Sequence, residues 1–196
     1  VTDTEALRGV YEPLTQSVRR LIDATIRTEA DEDAVAAARA LIDQAHELLS
    51  SRVMPGSFGV RTTVDGQSLA WGNVVMGLRN PIAPPLVIDQ DSTGSVYTEV
   101  DLGAGYEGPP GHVHGGVCAL ILDHVLGATA HLPGEPAFTG TLTVRYLRPT
   151  RLGRLRAEAH IDRIDGAKTY AVGHIADGDG VTVQADGVFI RPKKRR

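Results

Sequence analysis

The most constraining stretch of this chain is a run of six apolar residues, Val117 to Leu122, that ends on a carboxylate, Asp123. Val125 and Leu126 continue it, so a helix over 116–131 is apolar almost all round and must be covered on most sides. The flanking segments supply the cover. Leu86 to Gln90 and Ser95 to Val100 read as strands before it. Thr139 to Leu147, Gly153 to Ile164, Lys168 to Asp177 and Val181 to Ile190 read as four strands after it. Pro133-Gly134, Pro149, Asp165-Gly166 and Asp177-Gly178-Asp179-Gly180 punctuate them. The expected fold is therefore α+β: two strands, a helix, then a four-strand meander, with a curved antiparallel sheet wrapped around a long central helix.

Upstream the pattern changes. Leu7, Val10, Leu14, Val18, Leu21 and Ile22 form one helical stripe, and Pro13 suggests that the regular helix begins there. A second helix is expected from about Asp33 to Leu49, with Asp31, Glu32 and Asp33 at its positive end. Pro55-Gly56 and Asp65-Gly66 are turn signals, and a short strand is expected between Leu69 and Leu78. The chain is read as an N-terminal helical extension, residues 1–68, followed by the sheet-and-helix domain, residues 69–196.

Two features around the apolar run carry chemistry. Gly111-His112-Val113-His114-Gly115-Gly116 leads straight into the helix. First-turn N–H groups have no partner inside a helix, so those of Gly115 and Gly116 suit an oxygen that gains negative charge during acyl transfer. The plainer alternative is a glycine-rich loop before a helix. Asp123 follows apolar neighbours, where a charge is costly unless it is partnered or faces a cavity. It reads either as an interface salt bridge or cap, or as a carboxylate that activates water or attacks directly. Gly116 and Asp123 are seven residues apart, about 10 Å along a helix, too far for one carbonyl to meet both comfortably. Two such helices antiparallel across a two-fold axis would bring the glycine of one to the aspartate of the other, so a homodimer with two shared sites is expected.

Other residues are weighed similarly. His114 is read as orienting the loop or positioning the carbonyl, and His112 as structural. Period two places Thr139, Thr141 and Thr143 on one strand face, where a hydroxyl could hold water near a carboxylate. Arg145, Arg148, Arg151 and Arg154 cluster around Pro149, either as a phosphate site or as a solvated basic edge. No metal is expected, because His112, His114 and Asp123 do not match a ligand spacing. There is no Gly-x-Ser-x-Gly elbow, no dinucleotide fingerprint and no P-loop. A net charge of −4 argues against nucleic acid as partner. The single cysteine, Cys118, has no second thiol to pair with and reads as a buried structural group. No apolar run reaches a membrane span, and cytoplasmic localisation is the expectation.

The segment GHVHGGVCALILDHVLG, residues 111–127, supported by TGTLTVRYLRPTRLG, residues 139–153, resembles the hotdog-fold thioesterase superfamily. Within it the chain is similar to the phenylacetate-pathway and THEM-type acyl-CoA thioesterases. The resemblance covers about residues 69–190. It implies that the Gly115 N–H polarises a thioester carbonyl and that Asp123 of the other subunit is general base or nucleophile. It implies a hydroxyl on the next strand, Thr139 or Thr141, that orients water. It also implies basic residues among Arg148, Arg151 and Arg154 at the nucleotide end of coenzyme A. Members are dimers, some paired into tetramers, and need no cofactor besides the coenzyme A of the substrate. The implied activity is hydrolysis of acyl-CoA to a fatty or aryl acid; the alternatives are a non-catalytic acyl-CoA binder or a hydratase or dehydratase. One departure stands out. Many relatives carry an asparagine shortly before the histidine, whereas residues 107–111 here are Glu-Gly-Pro-Pro-Gly.

Overall fold

The computed structural model describes residues 4–63, 68–131 and 136–192. The Asp65-Gly66 turn, the Pro133-Gly134 break and the basic tail from residue 193 onward lie outside the described residues. The chain forms two compact units, Val1–Pro81 and Ile82–Arg196.

The first unit holds helices α1 (Thr4–Arg27) and α2 (Glu32–Ser50) and the two-residue strands β1 (Arg61–Thr62) and β2 (Ser68–Leu69). Pro13 lies inside α1 rather than at its start. The ring removes one backbone donor, and the apolar stripe carries the helix through. Asp31 caps α2, its carboxylate accepting from the Ala34 N–H at 2.9 Å. The strand expected between Leu69 and Leu78 is reduced to β2, with turns from Trp71 onward. The Arg19 guanidinium donates to the carbonyls of Gly77 and Asn80, and the Arg79 guanidinium stacks on the Tyr11 ring at 3.6 Å.

The second unit contains β3 (Asp89–Gln90), β4 (Val96–Leu102), α3 (Gly115–Ala130), β5 (Phe138–Tyr146), β6 (Gly153–Asp165), β7 (Lys168–Asp177) and β8 (Gly180–Ile190). Their six strands form one antiparallel sheet in the order β3-β4-β6-β7-β8-β5. Only β6, β7 and β8 form the expected meander. β5 goes to the far edge beside β8, because α3 intervenes between β4 and β5 in the chain and β4 takes β6 as its neighbour.

The α+β, antiparallel expectation holds; the curved wrap does not. The sheet is not strongly curled. It is open, with free edges at β3 and β5, and α3 lies against one face. The seat is close. A Cβ at Gly173 would come within 2.5 Å of the Glu158 carbonyl and 2.7 Å of Leu126 Cδ1, and one at Gly187 within 3.0 Å of Leu126 Cδ2. Leu126 therefore rests on a floor of bare backbone, which only glycine permits. One face of α3, with Cys118, Ile121, Leu122, Val125 and Leu126, is fully buried. Leu120, Asp123 and His124 on the other side are only half-buried, because an uncurled sheet covers one side of a helix and not the other.

At the β7–β8 turn Arg148 forms a two-pronged bond to Asp177, at 2.6 and 2.9 Å, and also donates to the Gly180 carbonyl. This guanidinium holds the Asp177 carboxyl down at about 2. A depressed carboxylate contributes stability above its ordinary range, and that contribution is lost as pH falls towards about 2. Asp177→Asn should therefore destabilise the protein by roughly 1 kcal/mol at neutral pH, a modest value because the guanidinium is partly solvated. Denaturant unfolding at pH 7 and at pH 2 checks this: the gap between variant and native protein should close at the lower pH.

Candidate active site

His114 is the N-cap of α3 and Gly115 its first residue. The cap is a ring nitrogen: His114 Nδ1 accepts from the Gly116 N–H at 3.0 Å. That bond sets the neutral imidazole as the Nε2–H tautomer. It also occupies the Gly116 donor. The Val117 and Cys118 N–H groups turn back to the His114 carbonyl. The Gly115 N–H donates to no acceptor among the described residues. The two glycine donors expected from sequence are thus unequal: Gly116 helps to hold the loop, and Gly115 is available at the positive end of the helix.

The preceding loop is tied to itself. The Glu107 carboxylate accepts from the Gly111 N–H at 2.6 Å, and the His114 N–H donates to the Tyr106 carbonyl. A carboxylate thus braces the loop in a stretch that carries no amide side chain. His112 Nδ1 lies 2.8 Å from the Pro110 carbonyl and its backbone bridges to Arg151, as suits a structural residue.

Asp123 lies two turns further along α3. Thr139, at the start of β5, donates its hydroxyl to Asp123 Oδ1 at 2.8 Å. The structure therefore brings this expected pair together within one chain and keeps it apart from Gly115. Thr141 is separated from Thr139 by a β-bulge. Thr139 pairs with Phe189, which is buried towards α3, whereas Thr141 pairs with Val188 on the other face. The expectation of one face for all three threonines fails at the extra residue, Gly140, because a bulge resets the two-residue period. Thr141 thus lies across the sheet from Asp123. Gly140 inside a strand pattern was the sequence signal for this.

The arginines are matched by acids. Arg148 is held by Asp177, Arg151 bonds Asp179 at 2.8 Å, Arg154 bonds Glu99 at 2.5 Å, and Arg145 bonds Asp186 at 2.8 Å. Cys118 is buried, its thiol pushed up by burial, 3.8 Å from the Thr150 hydroxyl. Burial also pushes His124 down. Among the described residues no three His, Cys, Asp or Glu side chains are grouped to hold a metal, and no helix is long and apolar enough to cross a membrane.

One residue of this region escaped the sequence reading. The Tyr146 hydroxyl, at the end of β5, donates to the Gly115 carbonyl at 2.8 Å. Its partner is 31 residues away in the chain, so no local pattern announces it.

The thioesterase superfamily model matches residues 110–184, the span from the histidine loop into β8. Human acyl-coenzyme A thioesterase THEM5 is 34 % identical over 92 residues, 45 % of this chain and 37 % of the human protein. The chain thus spans well under half the length of that curated relative. A phenylacetic acid degradation-related protein of Ralstonia eutropha is 26 % identical with TM-score 0.51, over 55 % of this chain and 85 % of that one. The crystal structure of a thioesterase superfamily protein aligns with TM-score 0.79 and 35 % identity, over 92 % of this chain and 90 % of its own. With a relative of that identity matched along nearly its full length, the chain belongs to the hotdog-fold thioesterase superfamily.

Proposed function

We propose that this protein hydrolyses acyl-CoA thioesters to a free carboxylic acid and coenzyme A. The observation that carries the reading is the Gly115 N–H at the start of α3, which has no acceptor among the described residues, on the same helix as a carboxylate held by Thr139. The Gly115 N–H receives the thioester oxygen as it gains charge, assisted by the positive end of the helix. Asp123 of the partner subunit completes the site. Thr139 occupies Oδ1, which leaves Oδ2 to accept a proton from water. The water oxygen bonds to the acyl carbon, the carbon–sulfur bond breaks, and the proton passes through Asp123 to the departing thiolate. Direct attack by Asp123, followed by hydrolysis of the anhydride, uses the same groups.

Two observations support a shared site. Gly115 and Asp123 are eight residues apart on one helix, about 12 Å along its axis. The edge strand β5 leaves one row of backbone groups unpaired and exposes Phe138 and Leu147 beside it, features that suit a second copy. Of the arginines assigned to the nucleotide end of coenzyme A, Arg151 is the best supported. Its backbone is bridged to His112 in the histidine loop; like Arg148 with Asp177 and Arg154 with Glu99, its side chain is paired with an acid, Asp179.

Release of free thiol from a panel of acyl-CoA substrates tests the reading. Asp123→Asn should lower kcat by about a thousandfold while acyl-CoA binding persists. Full activity in that variant would remove Asp123 from the mechanism. Tight binding without turnover on any chain length would leave a non-catalytic acyl-CoA binder instead. Thr139→Val should cost about tenfold in kcat, the size of one hydrogen bond. Sharing is tested by mixing. Proline is tolerated at the first position of a helix and has no N–H, so Gly115→Pro deletes the donor, with its Cβ also pressing on the Tyr146 ring. Asp123→Asn and Gly115→Pro chains, unfolded and refolded together, should recover roughly a quarter of native activity, since half the dimers then hold one intact site. No recovery would place both groups in one chain's site.

A further inference from the structure

The Tyr146 hydroxyl and the His114 ring are joined through a single peptide unit. The hydroxyl donates to the Gly115 carbonyl at 2.8 Å, and the N–H of that same peptide, belonging to Gly116, donates to His114 Nδ1 at 3.0 Å. A peptide group is conjugated, so a proton donated to its oxygen strengthens its N–H as a donor. We propose that Tyr146 is a positioning residue: through the Gly115–Gly116 peptide it keeps His114 as the Nε2–H tautomer and fixes the first turn of α3, from which the Gly115 N–H projects.

The contact is built rather than incidental. Tyr146 is the last residue of β5 and is paired to Val183 of β8. Beyond it the Leu147 N–H donates to the Thr182 carbonyl at 2.8 Å, so the strand end is anchored on both sides of the tyrosine. The ring covers Gly115 closely: a Cβ there would lie 3.3 Å from Cε1, Cζ and the hydroxyl oxygen alike. Glycine lets the phenol reach the backbone. Tyr146 is exposed overall, and partial desolvation of its hydroxyl with the nearby Cys118 pushes the phenol up, so it stays protonated and able to donate at neutral pH. The outcome is an imidazole that presents N–H rather than a lone pair at Nε2, one residue before the Gly115 donor. That role belongs to carbonyl polarisation and leaves the base function to Asp123. The inference rests on the hydrolase reading for its kinetic consequence, while the tautomer itself is independent of it.

Tyr146→Phe removes the hydroxyl and keeps the ring over Gly115. Two readouts are needed on the full chain. Long-range proton–nitrogen spectra of the uniformly nitrogen-15-labelled protein at pH 8, with His114 assigned by a His114→Gln variant, report the tautomer. The native protein should show an unprotonated Nδ1 and a protonated Nε2. Tyr146→Phe should show the two tautomers mixed and a weakened Gly116 amide hydrogen bond, seen as an upfield amide proton shift. With acyl-CoA substrates, kcat should fall about tenfold and KM should stay within about twofold, a split expected when one hydrogen bond shapes the transition state alone. An unchanged His114 tautomer in Tyr146→Phe overturns the relay. A changed tautomer with unchanged kcat overturns its role in the reaction. A native protein that releases no thiol from any substrate defeats the hydrolase reading instead, and the tautomer measurement then still decides the relay.

Discussion

The fold depends on how closely one helix can approach one sheet. Leu126 of α3 rests on Gly173 and Gly187, where any larger residue would collide with the helix, with neighbouring strands or with Phe189. This seat lets a short apolar helix bury one side completely without a sheet that curls around it. It also fixes the height and rotation of α3, and with them the direction of everything on its open side. Asp123 is half-buried on that side because the glycines pull the opposite face down. The carboxylate avoids the full cost of burial, and Oδ2 is left for the base role proposed above.

The second organising element is β5. It is an edge strand, yet it touches both parts of the proposed site on α3: Thr139 at Asp123 and Tyr146 at the helix start. In the proposed site the helix contributes the backbone donor and the carboxylate, and the strand holds both by hydroxyl groups seven residues apart. Side chains that hold a reacting group from a separate element restrict its motion more than neighbours on the same helix turn can. Because β5 is bonded on one side only, its free edge and its site-supporting hydroxyls share the same few residues.

Much of this was legible in the sequence. The apolar run announced α3, and the Asp-Gly and Gly-Asp pairs marked the strands on either side of them, with β7 found at its observed bounds. Asp123 stood out because a carboxylate among apolar residues requires a reason. What was not legible is tertiary. Turn residues say where strands end but not which strand lies beside which, so the move of β5 to the far edge was invisible. Curvature follows from twist and packing, and the two glycines that make a close, flat seat look like ordinary strand interruptions in a linear reading. The arginine cluster looked like free charge because its acidic partners lie elsewhere: Asp177 is 29 residues from Arg148, and Glu99 is 55 from Arg154. Tyr146 was overlooked because a tyrosine in a strand is unremarkable until its partner is known.

The bulge at Gly140 couples chain length to chemistry. It offsets the first residues of β5 from the rest, so that Thr139 and Tyr146 both reach the helix side although an unbroken strand would place them on opposite faces. Losing that one residue would alter no side chain of the site, yet it would turn one of the two hydroxyls away from α3. Substitutions along β5 can drift while the site persists; a single insertion or deletion there cannot. The site therefore depends on the number of residues in this strand as well as on their identity.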